Sequence, residues 1–285
     1  MSILINKETK LIVQGMTGSQ GARHTKYMRE YGTNIVAGVT PGKAGAEIEG
    51  YPVYNSIADA LEKHTADWSV IFVPAPFVKG AAIEALENNL NVVVITEGVP
   101  VHDALEIIQK SKEVNKLVLG PNCPGITTVG EAKIGIMPNH VFSQKGEIGV
   151  VSRSGTLTYE ITQILNEKNL GQTTVVGIGG DPAPGLNFIE ILKYFEEDSE
   201  TKKIVLAGEI GGSMEEEAAE FIRDNITKPV VAYIVGITAP AEKQMGHAGA
   251  IISGSSGTAE SKIQALEGAG VKVARLPKEI PGLLG

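Results

Sequence analysis

The side chain with the clearest chemical potential is His247, in the loop Met245-Gly-His-Ala-Gly-Ala250, where small neighbours leave the imidazole uncovered. Glu209 follows a predicted strand, in Gly208-Glu-Ile-Gly-Gly212. A carboxylate that accepts one ring N–H fixes the histidine tautomer and leaves the other nitrogen free to attack. Taken alone, His247 is typical of a passive loop histidine. Taken together, the two segments favour a nucleophilic histidine with an orienting glutamate.

A third segment, Ser152-Arg-Ser-Gly-Thr156, opens a predicted helix directly after a strand. The N–H groups at such a helix end, near Ser154 and Gly155, suit a phosphate carried by the histidine, although an ordinary strand-to-helix loop has the same pattern. The segment does not match the G-x-S-x-G elbow of serine hydrolases. No His/Cys/Asp cluster has the spacing of metal ligands, so no metal site is expected. The single cysteine, Cys123, is expected to be a quiet, partly buried thiol.

A glycine-rich loop, Gly15-Met-Thr-Gly-Ser-Gln-Gly21, connects the first predicted strand to its helix. Its spacing is GxxGxxG rather than the GxGxxG of dinucleotide sites, and by itself it fits either a phosphate loop or a plain tight turn. The second strand ends at Val39-Thr-Pro-Gly-Lys43, without the carboxylate that holds the ribose of NAD. Lys43 suits a ligand with an extra phosphate, as in NADP or coenzyme A, but also an ordinary surface lysine.

Short apolar runs alternate with amphipathic stretches, which predicts two successive α/β domains with parallel sheets. The first half predicts a Rossmann-like domain over residues 1–122, followed by a linker region over 123–146 with little regular period. Residues 147–285 predict a second doubly wound domain. Predicted strands and helices include Lys10–Gly15, Ser19–Tyr31, Asn34–Thr40, Ser69–Val73, Ile148–Ser152, Lys203–Ala207, Met214–Asn225 and Pro229–Val235.

Composition narrows the classes of function. The 285 residues hold 25 Lys and Arg against 33 Asp and Glu, a net charge of −8, which argues against a nucleic-acid binder. One cysteine excludes an internal disulfide framework and fits a reducing compartment. The chain shows neither a signal-peptide pattern nor an uncharged stretch suited to a membrane span. A cytoplasmic protein is therefore expected.

These segments resemble the family of succinyl-CoA synthetase (succinate–CoA ligase) alpha subunits. The resemblance runs in family order over nearly the whole chain and also includes Val73-Pro-Ala-Pro76, Ile95-Thr-Glu-Gly98, Gly120-Pro-Asn-Cys-Pro-Gly125, Val151–Glu160 and Gly177-Ile-Gly-Gly-Asp-Pro182. It implies an N-terminal Rossmann-like CoA-binding domain and a C-terminal flavodoxin-like ligase domain that carries a phosphohistidine.

The resemblance also implies roles for individual residues. His247 would be phosphorylated transiently, Glu209 would orient it, and Tyr159 would lie near the succinate site. The residues that would contact CoA are Thr17, Gly18, Ser19, Gln20, Lys43, Ile95, Thr96 and Glu97. A beta subunit, in an αβ or α2β2 assembly, would bind ATP or GTP with Mg²⁺, and the reaction would belong to the citric acid cycle.

Three alternatives stay open at this point. A related carboxylate such as malate would keep the ligase mechanism with another acid. An NADP-dependent oxidoreductase rests on the glycine loop and Lys43 and predicts no phosphohistidine. A CoA-binding sensor explains the first domain but leaves His247 and Glu209 without a role.

Overall fold

Two units, each with its own parallel sheet, make up the chain. The computed structural model describes residues 3–239, 245–252 and 257–285. By their contacts, Ile5–Asn139 and Ala183–Gly185 form one unit, and His140–Pro182 with Leu186–Gly285 belong to the other. Within these described ranges, no helix has the length and apolar character needed to cross a membrane.

The first unit is built on short apolar strands whose central residues are mostly buried, as expected for parallel strands covered on both faces. Its strand order is β3-β4-β2-β1-β5-β6-β7, parallel throughout except for the antiparallel pair β3–β4. The elements are β1 (Lys10–Gln14), α1 (Ser19–Tyr31), β2 (Asn34–Val39), β3 (Glu47–Ile48), β4 (Tyr51–Tyr54), α2 (Ile57–Leu61), β5 (Trp68–Ile71), α3 (Ala75–Glu87), β6 (Asn91–Val94), α4 (Val101–Glu113), β7 (Val118–Leu119), β8 (Gly125–Thr128) and β9 (Ala132–Gly135).

Without the short β3, the order of this sheet is that of the Rossmann fold, with the first and fourth parallel strands side by side. These two strands are β1 and β5, which pair in register from Leu11 with Trp68 to Gln14 with Ile71. The chain direction of successive crossovers reverses between them. A ligand crevice is therefore expected beyond the ends of β1 and β5, where the glycine loop begins.

The second unit has a different strand order, β14-β13-β12-β10-β11, with every pair parallel. This is the flavodoxin-like order, and its switch point lies between β10 and β12. Its elements are β10 (Lys145–Ser152), α5 (Gly155–Glu167), β11 (Gln172–Gly177), α6 (Phe188–Glu197), β12 (Lys203–Glu209), α7 (Met214–Asn225), β13 (Val230–Val235), α8 (Ala259–Gly268), β14 (Lys272–Ala274), a 3₁₀ turn (Pro277–Glu279) and α9 (Ile280–Leu284).

The predicted fold class, a Rossmann-like domain followed by a flavodoxin-like domain, is confirmed. The expectation of little regular structure within 123–146 is wrong, because β8 and β9 form an antiparallel hairpin there, from Gly125 opposite Gly135 to Thr128 opposite Ala132. All eight residues of the two strands are buried. A fully buried strand shows no alternation of polar and apolar residues, so its sequence carried no strand signal. The domain limits at 122 and 147 stay predictions.

Candidate active site

His247 and Glu209 form a direct side-chain pair. Nδ1 of His247 lies 2.6 Å from Oε2 of Glu209. The glutamate is the last residue of β12 and is buried, whereas the imidazole keeps 30% of its surface exposed. Because an ionised carboxylate can only accept a hydrogen bond, Nδ1 is the protonated nitrogen. Nε2 then carries the lone pair and is the nitrogen that can attack an electrophile.

The Glu209 carboxylate also shifts the pKa of the imidazole. The hydrogen bond to Glu209 raises the pKa of His247, and burial opposes this shift. Among the more distant charges, Asp181 raises the pKa and Arg153 lowers it. The nucleophilic neutral form is therefore favoured as pH rises.

The position of His247 depends on the absence of a side chain at Gly180. A Cβ atom on Gly180 would lie 2.3 Å from Cγ of His247, well inside any real contact distance. The carbonyl of Gly180 accepts a hydrogen bond of 3.0 Å from the N–H of Gly249, which ties the histidine loop to the loop after β11. The predicted motif Gly177–Pro182 therefore forms one wall beside the imidazole.

The predicted phosphate-binding end of α5 lies next to the same carboxylate. Ser154 is the N-cap, and its Oγ accepts a hydrogen bond of 3.4 Å from the N–H of Leu157. Gly155 is the first residue of the helix. The preceding residue, Arg153, places Nη2 3.3 Å from Oε1 of Glu209, which brings the end of β10 and the end of β12 to one crevice. The N-terminus of α5 therefore lies beside the end of β12, and its role in binding a phosphate stays a prediction.

Tyr159 lies in the second turn of α5, half-buried, with its ring edge against Phe142 at a centroid distance of 5.9 Å. The structure thus places it on the helix whose first turn holds Ser154 and Gly155. Its predicted place near an acid substrate stays a prediction.

No sequence pattern indicated the buried charges behind this pair. Arg153, Glu209, Glu215 and Lys262 each have at most 3% of their surface exposed. Glu215 lies in the first turn of α7 and Lys262 lies in α8, and no local motif relates either residue to the histidine loop. The tertiary fold brings Glu215 to Arg153 and Lys262 to Glu215.

The first unit has a cleft of about 570 Å³ at the crevice between β1 and β5. Thr17 and Gly18 of the glycine loop line it. The loop is fixed by its backbone, because the N–H of Gly15 donates to the carbonyl of Val39 at 2.8 Å and the N–H of Gly18 donates to the carbonyl of Gly15 at 3.0 Å. The remaining lining residues are Gln14, Gly15, Val39, Thr40, Pro41, Phe72, Val73, Pro74, Phe77, Gly80, Ala81 and Glu84.

Lys43 lies on the loop that borders this cleft rather than in its lining. The loop is held by Asn55, whose Oδ1 accepts hydrogen bonds from the N–H groups of Gly42 at 2.8 Å and Ala44 at 3.2 Å. Lys43 itself is exposed, two residues after the lining residue Pro41. Its side chain is therefore exposed on a loop that contributes Pro41 to the cleft lining.

A second, smaller cavity of about 340 Å³ adjoins the cleft and shares Phe72, Val73 and Pro74 with it. Its other lining residues are Gln20, His24, Ile95, Thr96 and Ile136. Thr96 is fixed by a hydrogen bond of 2.7 Å from its Oγ1 to the carbonyl of Val73. Ser19 and Glu97 are exposed beside these residues. The predicted CoA residues are thus grouped around two connected spaces.

His24, a residue of α1, contributes to the smaller cavity. Its ring stacks on Phe72 with a centroid distance of 5.6 Å and an interplanar angle of 3°, in the wall of the smaller cavity. Burial, with the nearby charges of Lys133 and Arg23, lowers the pKa of His24 to about 4. The imidazole is therefore neutral near pH 7 and acts as a flat lining surface.

One group of possible metal ligands occurs among the described residues, His102, Asp103 and Glu106 at the start of α4. The ammonium of Lys79 lies 2.8 Å from Asp103 and 3.3 Å from Glu106, so both carboxylates are already paired with one lysine.

Comparison with known proteins assigns both units to described families. Residues 6–114 match the CoA binding domain family, and residues 151–272 match the CoA-ligase family. Over 285 residues the chain is 55% identical to "Succinate--CoA ligase [ADP-forming] subunit alpha 2" of Archaeoglobus fulgidus, covering 100% of this chain and 99% of the relative. The identity is also 55% to the alpha subunit of the same ligase in Staphylococcus aureus, covering 100% of this chain and 94% of the relative.

A solved structure gives the same assignment of the fold. ATP citrate lyase from Methanothrix soehngenii, in complex with citrate and coenzyme A, superposes with a TM-score of 0.92 at 29% sequence identity. The match covers 99% of this chain and 50% of that chain, so the present chain spans half the length of the lyase chain.

Proposed function

The chain belongs to the family of succinate–CoA ligase alpha subunits, and we propose that it supplies the CoA site and the phosphorylated histidine of such a ligase. The reaction joins succinate and CoA reversibly, at the expense of a nucleoside triphosphate. The observation that carries the proposal is the 2.6 Å pair of His247 Nδ1 and Glu209 Oε2, which leaves the lone pair of Nε2 available for attack.

His247 is the phosphoryl carrier in the proposed mechanism. Its Nε2 attacks the γ-phosphorus of the nucleotide, an N–P bond forms, the bridging P–O bond breaks and the nucleoside diphosphate leaves. The proton on Nδ1 stays in the hydrogen bond to Glu209, which stabilises the positive charge that develops on the ring. The α5 N-terminus, at Ser154 and Gly155, receives the phosphoryl oxygens.

The phosphoryl group then passes to the acid. A carboxylate oxygen of succinate attacks phosphorus, the N–P bond breaks and succinyl phosphate forms, which returns His247 to its starting state. The thiolate of CoA attacks the acyl carbon, the C–O bond to phosphate breaks and succinyl-CoA and inorganic phosphate result. We place the acid near Tyr159, on the same helix as the phosphate-binding turn.

The cleft of the first unit is the proposed CoA site. The N–H groups of Ser19 and Gln20 and the positive end of α1 suit the pyrophosphate, with Thr17 and Gly18 in the cleft lining beside them. Lys43, on the loop that borders the cleft, suits the additional 3′-phosphate of CoA. Ile95 and Thr96 line the adjoining cavity and Glu97 follows them, so this space suits the remaining length of the ligand.

A beta subunit completes the proposed enzyme, in an αβ or α2β2 assembly, and binds the nucleotide with Mg²⁺. ATP is the proposed nucleotide because the similar alpha subunits belong to ADP-forming ligases. We propose a cytoplasmic location and a role in the citric acid cycle. The single cysteine, Cys123, is buried and forms no disulfide within the chain, which is in keeping with a reducing compartment.

Labelling with γ-³²P nucleotide tests the proposal on this chain co-purified with its beta subunit. We expect acid-labile, base-stable label on the wild-type chain and none on His247→Ala. Addition of succinate and CoA should discharge the label. The substitution His140→Ala, at an exposed histidine of the same unit, is the matched control and should label normally.

Each other outcome has a defined meaning. Discharge by malate or another acid, but not by succinate, would keep the phosphohistidine and replace the substrate. The absence of label with ATP and with GTP, when the beta subunit is present, would refute the phosphohistidine mechanism. A nicotinamide-dependent hydride transfer by the same preparation would support the oxidoreductase alternative.

A further inference from the structure

Behind the His247–Glu209 pair lies a continuous row of buried charges that the proposed mechanism does not yet use. Arg153 contacts Glu209 on one side and Glu215 on the other, with Nη1 3.1 Å from Oε1 of Glu215. The other carboxylate oxygen of Glu215 bonds the ammonium of Lys262. Two carboxylates and two cations thus alternate from the histidine inward, and Lys262 at the far end also contacts the partly exposed Glu216 at 3.0 Å.

Arg153 contacts Glu209 at the oxygen that does not face the histidine. Its Nη2 lies 3.3 Å from Oε1 of Glu209, while Oε2 of the same carboxylate faces His247. The 3.3 Å contact is an ion pair rather than a well-aligned hydrogen bond, since Oε1 makes no hydrogen bond within the described part of the chain. The attraction therefore selects one rotation of the carboxylate, in which the second oxygen points at Nδ1.

The backbone of Glu209 is held by the same group of side chains. The N–H of Glu209 donates to Oε1 of Glu215 at 3.1 Å, and Nη1 of Arg153 donates to the carbonyl of Gly211 at 3.0 Å. Arg153 thus spans the end of β12 and the turn that follows it. Lys262 adds a hydrogen bond of 3.0 Å to the carbonyl of Gly212, so the whole turn after β12 rests on buried charged groups.

Such an arrangement costs more than a plain hydrophobic core would. Removing four ionisable groups from water is unfavourable, and well-packed apolar residues of similar size are often at least as stabilising. The packing of the unit alone therefore does not account for Arg153. The contacts of Arg153 instead keep an ionised carboxylate in one orientation beside a histidine that changes its charge during the proposed reaction.

We propose that Arg153 is a positioning residue of the phosphorylation step: it holds Glu209 so that Oε2 faces Nδ1 of His247, and Glu215 with Lys262 holds Arg153. The inference rests on the proposed function, because it concerns the reactivity of His247. The charged groups that face the imidazole are Glu209 from β12, Arg153 after β10 and Asp181 after β11. Of these, only Glu209 touches the ring nitrogen, and Arg153 acts through it.

A double-mutant cycle with Glu209 tests this assignment on the complete enzyme with its beta subunit. Arg153→Met should slow formation of phosphohistidine by roughly tenfold to a hundredfold, as the loss of a partner that orients a histidine ligand does elsewhere. In the Glu209→Gln background the same substitution should cost less than about twofold, because the carboxylate that Arg153 orients is gone. A purely structural role would give effects that multiply.

Conservative and matched variants separate positioning from folding. Removal of one member of a buried ion pair destabilises a protein, so Arg153→Lys, which keeps the charge with a shorter reach, is the second variant. We expect it to recover part of the rate. Arg223→Met on α7 removes an arginine of the same unit that is 58% exposed, and it should label at the wild-type rate.

A proton NMR signal gives a readout that is independent of turnover. The Nδ1 proton in the 2.6 Å contact should give a strongly downfield resonance, absent in Glu209→Gln and weakened or shifted in Arg153→Met. If wild type takes up label, an Arg153→Met variant with an unchanged phosphorylation rate and an unchanged Nδ1 proton resonance would overturn the inference. Effects of the two substitutions that multiply in the double-mutant cycle would also overturn it. Failure of wild type to take any label would instead refute the proposed function, and the resonance would still report on Arg153.

Discussion

One hydrogen bond determines which nitrogen of His247 reacts and at which pH. Because Nδ1 donates to Glu209, the reactive lone pair lies on Nε2. The same bond raises the pKa of the imidazole, which increases the fraction in the unreactive protonated form. The carboxylate therefore orients the ring and stabilises its charged form, but at low pH it lowers the fraction of His247 in the nucleophilic neutral form. The phosphorylation rate is expected to rise with pH through this raised pKa.

The substitution Glu209→Gln separates these effects. The largest cause of the raised pKa of His247 is the hydrogen bond to the Glu209 carboxylate, which this substitution removes. The pKa of His247 should therefore fall, and the ring should lose its proton at a lower pH than in wild type. The phosphorylation rate at high pH should still be lower, by roughly tenfold or more, because an amide does not stabilise the developing ring charge. NMR titration of His247 and labelling between pH 5 and about 9 measure the two quantities.

The control for this prediction is Glu167→Gln, at an exposed position at the end of α5. It removes the same charge from the same unit and should leave both quantities unchanged. A raised or unchanged pKa of His247 in Glu209→Gln would show that the carboxylate does not interact with the ring in solution.

The residues of the site could be predicted in part because parallel strands bring their carboxyl ends to one edge. Glu209 ends β12, and His247 follows the neighbouring strand β13, so their proximity follows from order along the sheet. The buried charged residues behind this pair could not be predicted in this way. Glu215 and Lys262 lie on helices, where a charged residue in a sequence is usually solvated, and only packing shows that they are buried.

At the scale of elements, the CoA cleft depends on how closely α1 approaches β1. A Cβ atom on Gly21 would lie 2.1 Å from the carbonyl oxygen of Gly15, so the helix can begin where it does only because position 21 has no side chain. This is the role of the third glycine in dinucleotide-binding loops, here at the GxxGxxG spacing. The direction of the loop N–H groups follows from this contact.

Gly21→Ala should therefore destabilise the first unit, by about 1–3 kcal/mol, the usual range for an overpacked position. It should weaken CoA binding as well, because α1 must shift away from the strand. Chemical denaturation and calorimetric titration with CoA measure these effects. An alanine variant with unchanged stability and affinity would show that the loop adapts without cost.

A second helix glycine of the same unit provides the matched comparison. Gly80, inside α3, has no atom within 4 Å of a Cβ placed on it. Gly80→Ala should raise the free energy of unfolding by about 0.4–1 kcal/mol, since alanine lowers the entropy of the unfolded chain. If the free energy of unfolding falls in Gly21→Ala and rises in Gly80→Ala, the loss of stability at Gly21 is due to packing rather than to helix propensity.

The elements themselves were predicted where periodicity was strong. The helices predicted at Ser19–Tyr31 and Met214–Asn225 have those bounds in the structure. The hairpin of β8 and β9 was missed because its strands are short, rich in Gly and Thr, and buried on both faces. β9 even buries Lys133, whose ammonium donates to the carbonyl of Met137 at 2.9 Å, and burial lowers the pKa of this lysine to about 8.

At the scale of the whole molecule, two sheets of different strand order each provide one crevice. The Rossmann order places it beyond β1 and β5, and the flavodoxin-like order places it beyond β10 and β12. The alternation of strands and helices predicted both sheets. The detailed strand order could not be read from periodicity, because it depends on the side to which each crossover turns. One crevice holds the cleft proposed for CoA, and the other holds His247.

The two activities should therefore be separable by substitution. Lys43→Ala removes the exposed ammonium on the loop that borders the cleft and should weaken CoA binding by roughly tenfold, as expected for a lost charge-assisted contact to a phosphate. Labelling of His247 by nucleotide should stay at the wild-type rate, because Lys43 lies in the other unit. Calorimetric titration with CoA and with dephospho-CoA should show that the loss is confined to the ligand with the 3′-phosphate.

Two controls complete this prediction. Lys112→Ala removes an exposed positive charge from the same unit and should leave CoA affinity unchanged, which excludes a general effect of net charge. His247→Ala should abolish labelling and leave CoA affinity unchanged, which is the reciprocal of the Lys43 result. If Lys43→Ala weakened CoA and dephospho-CoA equally, Lys43 would not contact the 3′-phosphate. If Lys43→Ala also slowed labelling of His247, the two units would be coupled. The proposal that one crevice binds CoA and the other holds the phosphorylated histidine independently would then be wrong.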